Sequence, residues 1–311
     1  MLRQAAMTRH FTTDLDVSAE EQSAILQLAA AMKAAPGEHR ERLRGATLGM
    51  IFQKSSTRTR VSFETGIGQL GGRGIFLSAR DMQLGRGEPI RDTGAVLSRY
   101  VDLLMIRTYA HRDVQALAES SRVPVINGLD DVYHPCQVLA DLLTIRERKG
   151  ALQGVQLVYV GDGNNMAHSL MLGGGLAGLH VRIVSPREFA PNATVVLEAQ
   201  DIAKTRGSRI ELTDSIDGVE GADVVVTDTW ASMGQEEEHQ SRLRAFASYQ
   251  VDEAMMARAR PDAIFMHCLP AHRGEEVSEA VIDGPASVIY DEAENRLHAQ
   301  KALMAWAIEN S

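Results

Sequence analysis

The stretch "VQLVYVGDGNNMAHSL", residues 155–170, places a short apolar run directly before a glycine-containing turn. Such a valine-rich run is typical of a strand that is buried on both faces of a sheet. Similar short runs alternate with segments of helical length along the chain: "LGMIF" (48–52), "GIFL" (74–77), "DLLMIR" (102–107), "VPVIN" (123–127), "VRIVS" (181–185), "ADVVVTD" (222–228), "AIFMHCL" (263–269) and "SVIYDE" (287–292). This alternation predicts an α/β fold built from mostly parallel sheets flanked by helices.

The length of the chain predicts two domains, because 311 residues exceed the size at which one hydrophobic core stops growing. The segment "VLADLLTIRERKGALQG" (138–154) has apolar residues at helical spacing before Gly150 and is predicted to be a helix that joins the two halves. We therefore predict a first domain over residues 1–147 and a second over residues 148–292. A final amphipathic helix, residues 293–311, is predicted to return and brace the first domain.

Composition and charge exclude several classes of protein. Hydrophobic residues make up 44% of the chain and charged residues 23%, which is ordinary for a globular protein. The net charge of −9, without a long Lys/Arg run, argues against binding to nucleic acid or to an anionic membrane. No apolar run approaches the roughly 18 residues of a membrane span. The two cysteines, Cys136 and Cys268, suit a reducing compartment, and a cytoplasmic location is predicted.

Residues 55–60, "SSTRTR", concentrate hydroxyl and guanidinium donors at the predicted start of a helix. Phe63, Ile67 and Leu70 recur at helical spacing behind them. Free backbone N–H groups at a helix start bind anions, and the donor side chains add to this tendency. A simple serine cap with solvated arginines would need one hydroxyl rather than four. The stretch therefore predicts a site for an oxygen-rich anion such as a phosphate.

Further polar residues follow other predicted strands, where open α/β sheets build their clefts. They are Arg107, His134, Gln137, Asn164, Asn165, Asp228 and Cys268. A neutral His134 could donate a hydrogen bond to a carbonyl oxygen, and the Gln137 amide could donate and accept. We predict that one cleft between the two domains collects these side chains and forms the active site.

Two alternative sites are less well supported by the residues. The turn "GDGNN" lacks the third glycine of a dinucleotide fingerprint, so a Rossmann oxidoreductase is disfavoured. His134, Cys136, His267 and Cys268 form a two-His two-Cys set that could suggest a zinc hydrolase. Metal ligands on one element usually stand two to four residues apart, whereas His267 and Cys268 are adjacent on a predicted strand and should face opposite sides. We predict no metal site.

The motifs "SSTRTR", "HPCQ", "DTWASMG" and "HCLPAHRGEEV" resemble those of the aspartate/ornithine carbamoyltransferase family over essentially the whole chain. "SMG" and "HCLP" favour the branch of that family that acts on ornithine. The resemblance implies transfer of the carbamoyl group of carbamoyl phosphate to the side-chain amine of L-ornithine, giving citrulline and phosphate in arginine metabolism. It implies no cofactor. A related transferase that uses putrescine or another amine stays open as the alternative.

The resemblance also implies site residues. Those implied for carbamoyl phosphate are Ser56, Thr57, Arg58, Thr59, Gln83, Arg107, His134, Pro135, Cys136, Gln137, Cys268, Leu269 and Arg296, of which Arg58, Arg107, His134 and Cys268 would be catalytic. Those implied for ornithine are Asn165, Asp228, Ser232 and Met233. The family further implies a homotrimer in which Gln83 reaches the site of a neighbouring subunit.

Two positions depart from the family pattern. Gln53 stands where the family commonly has Glu, which removes a charge beside the phosphate site. Gly94 replaces a better helix former at a predicted helix position, which would cost about 1 kcal/mol locally. The sequence leaves open whether the reaction serves synthesis or breakdown of arginine, and whether trimers assemble further.

Overall fold

The computed structural model describes residues 8–230 and 239–311, which fold as two compact units. Unit 1 contains the described residues up to Leu139 together with Arg296–Ser311, and unit 2 is Ala140–Asn295. The chain passes from one unit to the other within two helices, α5 (Pro135–Lys149) and α11 (Ile289–Glu309). The helix predicted over residues 138–149 is confirmed. The predicted domain boundaries at residues 147 and 292, with one substrate for each domain, stay a prediction.

Unit 1 is built on a parallel four-stranded sheet with the order β2-β1-β3-β4. Its elements are α1 (Ala19–Ala34), β1 (Thr47–Phe52), α2 (Thr57–Gln69), β2 (Arg73–Ser78), α3 (Ile90–Leu97), β3 (Leu103–Arg107), α4 (His111–Ser120) and β4 (Val125–Leu129). Strands β1, β3 and β4 are buried along their whole length, as their apolar runs predict. The open edge of β4 is covered by Phe11, whose N–H donates to Val125 O at 2.8 Å.

Unit 2 is built on a parallel five-stranded sheet with the order β7-β6-β5-β8-β9. Its elements are β5 (Gln156–Val160), α6 (Asn165–Leu176), β6 (His180–Val184), α7 (Ala193–Thr205), β7 (Ile210–Thr213), β8 (Val224–Thr227), α8 (His239–Phe246), α9 (Glu253–Met256), β9 (Ile264–His267) and α10 (Glu279–Ile282). Residues 155–170 contain β5 and the start of α6, and every residue of α6 is buried. The predicted α/β class is therefore confirmed. Within the part of the chain that the structure describes, no helix is long and apolar enough to cross a membrane.

Two details of the predicted strand pattern are wrong. The run at residues 287–292 is not a strand, because Ile289 already begins α11 and Ser287 makes only an isolated bridge to Phe265. Val288 and Ile289 favour a strand locally, but Ile289 is buried as the first residue of a helix. Strand β7 was not predicted, since it is a four-residue edge strand with only Ile210 buried.

The helix position of Gly94 has a packing explanation. Gly94 lies in α3, which packs against α4. A Cβ atom on residue 94 would lie 2.3 Å from Ser120 Oγ and 3.1 Å from the carbonyl oxygen of Leu117. The missing side chain therefore lets the two helices approach closely, which offsets the poor helix propensity of glycine.

We predict that Gly94→Ala destabilises the protein by about 1–3 kcal/mol, because the added methyl group must push α3 away from α4. Gly68→Ala in α2 is the matched control, since nothing lies within 4 Å of a Cβ there. That control should gain up to about 1 kcal/mol from lost chain entropy in the unfolded state. Denaturant unfolding measures both changes, and a more stable Gly94→Ala protein would refute the packing explanation.

Candidate active site

The start of α2 lies directly after β1 and carries the donor cluster predicted from "SSTRTR". Ser56 is the N-cap, and its hydroxyl accepts a hydrogen bond from Thr59 N at 3.3 Å. Thr57 and Arg58 are exposed, whereas Thr59 is buried. Because the first N–H groups of a helix have no partner within the helix, this end of α2 offers backbone donors to an anion. Arg58 adds a guanidinium that can bind two phosphate oxygens.

Arg296 connects three elements of unit 1 and is only 4% exposed. Its Nη1 donates to Gln137 Oε1 at 2.6 Å, and its Nη2 donates to the Thr59 hydroxyl at 3.3 Å. With the Gln300 amide oriented to suit its neighbours, the amide oxygen also accepts from Arg296 Nη2 at 2.9 Å and Nε at 3.2 Å. The starts of α2 and α5 are thus held together by one side chain from α11.

The Thr59 hydroxyl also lies 3.2 Å from Ser56 Oγ. A hydroxyl has one proton and two lone pairs. If the two neighbours, Arg296 and Ser56, both donate to the Thr59 oxygen, the Thr59 proton points elsewhere and can serve a ligand. The amide oxygen of Gln137 similarly accepts a hydrogen bond from Arg296.

His134 and Arg107 complete the donor set of unit 1. Arg107 ends β3, and His134 immediately precedes α5. Burial, together with the positive charges of Arg296, Arg107 and Lys54, holds the pKa of His134 well below its ordinary value of 6.5. The imidazole is therefore neutral at pH 7 and can donate one hydrogen bond without carrying charge.

Pro135 and Cys136 occupy the first turn of α5, where proline is favoured. The Cys136 thiol is fully buried and donates to Asn127 O at 3.2 Å. Burial raises its pKa to about 12, so it is not a thiolate at neutral pH. The Cys136 thiol is therefore not a nucleophile at neutral pH.

Gln83 is not in any of the elements that carry this donor cluster. It begins the 3-10 helix Gln83–Arg86 between β2 and α3, and it is exposed. The role of Gln83 implied by the family resemblance stays a prediction.

Lys54 was missed by the sequence analysis although it belongs to the stretch before α2. It is 5% exposed, and its Nζ donates to Asp131 Oδ1 at 3.0 Å and lies 5.1 Å from the Tyr109 ring centroid. Its charge contributes to the low pKa of His134. The sequence does indicate Lys54, because a lysine stands between an apolar strand and a helix start that is rich in donors. Next to it, Gln53 accepts a hydrogen bond from the Thr108 hydroxyl, a contact that a glutamate at position 53 would also make.

In unit 2, Asp228 follows β8 and gathers three donors. It accepts hydrogen bonds from Thr229 N at 2.8 Å, Cys268 Sγ at 3.2 Å and Asn164 Nδ2 at 3.4 Å. Asn164 is the N-cap of α6, and Asn165 is the first residue of that helix and is buried. The carboxyl ends of β5 and β8 thus bring the Asn164 amide and the Asp228 carboxylate together.

Cys268 follows β9 and is not a nucleophile at neutral pH. Burial, together with the negative charges of Asp228 and Glu292, raises the pKa of its thiol well above the ordinary value. The thiol is therefore protonated and acts as a weak donor to Asp228.

Leu269, the next residue, has a backbone φ of 58° in the left-handed region, and its N–H donates to His267 Nδ1 at 2.9 Å. His267 Nε2 lies 3.2 Å from Glu276 Oε1, and both side chains are fully buried. The histidine thereby fixes an uncommon backbone conformation beside Cys268.

The zinc alternative gains no support from this geometry. His134 and Cys136 belong to unit 1, and His267 and Cys268 belong to unit 2. Asp228, His267 and Cys268 do bring potential ligand atoms within 4.8 Å of one another. Both ring nitrogens of His267 are already engaged, however, so neither offers a lone pair to a metal. The predicted ornithine residues Ser232 and Met233 lie outside the described residues.

The sequence patterns of known families decide the relationship. The carbamoyl-P binding domain of aspartate/ornithine carbamoyltransferases matches residues 9–147, and the Asp/Orn binding domain of the same enzymes matches residues 153–307. The chain belongs to the aspartate/ornithine carbamoyltransferase family. The resemblance stated from the sequence is confirmed.

Similar proteins within the family are named ornithine carbamoyltransferase. The protein of that name from Oceanobacillus iheyensis is 58% identical, over 95% of this chain and 93% of its own. The one from Wolinella succinogenes is 56% identical, over 96% and 98%. Among solved structures, the enzyme from Pyrococcus furiosus is 52% identical with a TM-score of 0.92, covering 96% of both chains. The anabolic enzyme from Campylobacter jejuni is 40% identical with a TM-score of 0.93, covering 97% and 100%.

The low pKa of His134 predicts a pH dependence of stability. Below pH 6.5 the unfolded chain binds a proton on this histidine that the folded chain excludes, so the free energy of unfolding falls as the pH falls. The contribution approaches about 1.4 kcal/mol per pH unit between the unfolded and the folded pKa. His134→Gln should therefore flatten the fall in stability between about pH 6.5 and pH 5.5.

Urea unfolding of both proteins at a series of pH values measures these slopes. His39→Gln, in the 3-10 helix Pro36–His39, is the control. It measures how much a His-to-Gln change away from the site alters the dependence of stability on pH. Equal slopes for the wild type and His134→Gln would contradict burial of a neutral His134.

Proposed function

We propose that this chain is an ornithine carbamoyltransferase that transfers the carbamoyl group of carbamoyl phosphate to the side-chain amine of L-ornithine, giving citrulline and phosphate. The observation that carries the proposal is the donor cluster of unit 1, where the start of α2, Arg296 and neutral His134 come together. It offers cations to a phosphate and uncharged donors to a carbonyl oxygen. The relatives named above support ornithine as the acceptor.

The two substrates are assigned to different parts of the chain. Residues 1–147, braced by the C-terminal helix 293–311, bind carbamoyl phosphate, and residues 148–292 bind ornithine. The matches of the two domain patterns support this division. In unit 1, Arg58 and the backbone donors of α2 bind the phosphate group. Arg107, His134 and Thr59 donate to the carbonyl oxygen of the carbamoyl group.

The protein contributes positioning and charge rather than a nucleophile. The neutral amine of ornithine attacks the carbonyl carbon, a C–N bond forms, and the C–O bond to phosphate breaks after a tetrahedral intermediate. The proton that the attacking nitrogen loses is taken up by the leaving phosphate. Negative charge develops first on the carbonyl oxygen, where preorganised donors stabilise it, and then on the leaving phosphate near Arg58. The raised pKa values of Cys136 and Cys268 support the absence of a thiolate step.

Ornithine is held by its amino-acid end in unit 2. Asp228 supplies the carboxylate that suits an α-ammonium group, and Asn165, Ser232 and Met233 complete the predicted set. Cys268 and Leu269 lie next to Asp228 in the fold, as the hydrogen bond from the Cys268 thiol indicates. A putrescine acceptor is not favoured, because a diamine has no α-carboxylate or α-ammonium for such a site.

The assembly and the location are proposed on the same basis. The active enzyme is a homotrimer in which the exposed Gln83 serves the carbamoyl-phosphate site of the neighbouring subunit. The free thiols of Cys136 and Cys268 fit a reducing compartment, which supports a cytoplasmic role in arginine metabolism.

The function is tested by incubating the purified protein with carbamoyl phosphate and either ornithine or putrescine, with and without a chelator. We expect citrulline from ornithine, little product from putrescine and no effect of the chelator. Absence of citrulline, or a preference for putrescine, would refute the proposed acceptor.

The same assay with Asp228→Asn tests the ornithine residues. Asparagine keeps the shape of the side chain but removes its charge, so ornithine binding should weaken by about 2–4 kcal/mol while carbamoyl phosphate binds almost as before. Asp223→Asn is the matched control. Asp223 directly precedes β8, whereas Asp228 directly follows β8. The Asp223 carboxylate accepts a hydrogen bond from Gln156 N at 2.9 Å, at the end of the strand opposite Asp228. Unchanged ornithine affinity in Asp228→Asn would contradict the assignment.

A further inference from the structure

The turn between β4 and α5 is organised by a fully buried carboxylate, Asp130. Its Oδ1 accepts hydrogen bonds from Val132 N at 2.7 Å and Tyr133 N at 2.8 Å. Its own N–H donates to Tyr133 O at 3.0 Å. This is a side-chain-stabilised turn of the kind that Asp favours, and it ends immediately before His134.

The second carboxylate oxygen ties the turn to its surroundings. Asp130 Oδ2 accepts from Asn127 Nδ2 at 2.8 Å and lies 2.7 Å from His111 Nδ1. Asn127 is in β4 and also donates to Thr12 O at 2.9 Å, and His111 is the first residue of α4. The turn is therefore anchored to a strand, to a helix and to the N-terminal segment of unit 1.

A ring contact adds to this anchoring. The Tyr133 ring meets the His111 ring edge-on, with the centroids 4.9 Å apart. The residue directly before His134 is thus fixed both through its backbone N–H and through its side chain.

The carboxylate makes more contacts than a turn requires. An Asx turn needs one oxygen, and a fully buried carboxylate is costly unless its other lone pairs are satisfied. Here both oxygens have partners on three different segments. The arrangement therefore shapes the turn and also restrains the position of His134 at the start of α5.

We propose that Asp130, supported by His111, is a positioning residue for the carbamoyl-transfer reaction, because it fixes the turn that presents the His134 imidazole to the carbamoyl group. This inference rests on the proposed function and deepens it by adding residues that touch neither substrate. An imidazole displaced by a fraction of an ångström would donate poorly to the carbonyl oxygen, and such misplacements lower reaction rates strongly.

Two variants test the inference. Asp130→Asn keeps an oxygen for Val132 and Tyr133 but presents an amide N–H₂ group to the Asn127 amide, which removes part of the anchoring. His111→Phe keeps the ring against Tyr133 and removes the bond to Asp130. We expect kcat/KM for carbamoyl phosphate to fall about tenfold or more in Asp130→Asn, and less in His111→Phe. KM for ornithine should stay within about twofold of the wild type in both.

Asp102→Ala is the matched control for a purely structural role. The Asp102 carboxylate accepts from Thr47 N at 2.8 Å, at the amino ends of β1 and β3 and away from His134. It should lower the Tm without changing kcat/KM for carbamoyl phosphate. Asp130→Asn, by contrast, should shift the ring resonances of His134, assigned by comparison with His134→Gln.

Folded Asp130→Asn and His111→Phe proteins that keep kcat/KM for carbamoyl phosphate within about twofold of the wild type would overturn the proposal. Equal losses toward both substrates that follow the Tm would also overturn it. If Asp130→Asn does not fold, His111→Phe decides. Citrulline formation by the wild type is measured first, so failure of the proposed function is seen separately, and the His134 resonances then decide whether Asp130 positions that ring.

Discussion

The candidate site in unit 1 depends on the hydrogen bonds of the buried Arg296 guanidinium. Arginine keeps its charge at any physiological pH, so a 4% exposed guanidinium must find acceptors inside the protein. It finds them on Thr59, on Gln137 and on Gln300. Because these acceptors lie in α2, α5 and α11, the positions of the three helices depend on one another. Removal of any acceptor would leave a buried charge without a full set of hydrogen bonds.

The same cation shapes the chemistry of its neighbours. Together with burial, the charges of Arg296, Arg107 and Lys54 keep His134 neutral, which preserves it as a donor. In unit 2 the sign of the charge is reversed. The carboxylate of Asp228 and the negative charge of Glu292 keep the Cys268 thiol protonated. This difference in charge is what the proposed assignment of carbamoyl phosphate to unit 1 and of the ornithine ammonium group to unit 2 requires.

Much of the fold followed from local sequence patterns, because strands buried on both faces form continuous apolar runs. Where tertiary context decides, the patterns failed. The run at residues 287–292 has strand-like residues but begins a helix, and β7 is too short and too exposed to produce a recognisable run. The sequence does not explain Gly94, because the close approach of α3 to Ser120 of α4 leaves no signature in either helix.

The candidate site shows the same limit. Ser56–Thr59, Arg107, His134 and Asp228 could be proposed from the sequence, because polar residues that follow the strands of a parallel sheet lie at its carboxyl edge. The supporting pairs could not be found in this way. Asp130 and His111 are 19 residues apart, and His267 and Glu276 are nine apart. These distances in sequence do not reveal a buried pair, since pairing depends on how the loops pack.

The most direct test of the account is a crystal structure of the protein with a non-hydrolysable phosphonate analogue of carbamoyl phosphate. We predict phosphonate oxygens within about 3 Å of the backbone N–H groups at the start of α2 and of the Arg58 guanidinium. The amide oxygen of the analogue should lie within the same distance of a His134 ring nitrogen. An analogue bound elsewhere, or bound with His134 turned away from its amide oxygen, would contradict the account.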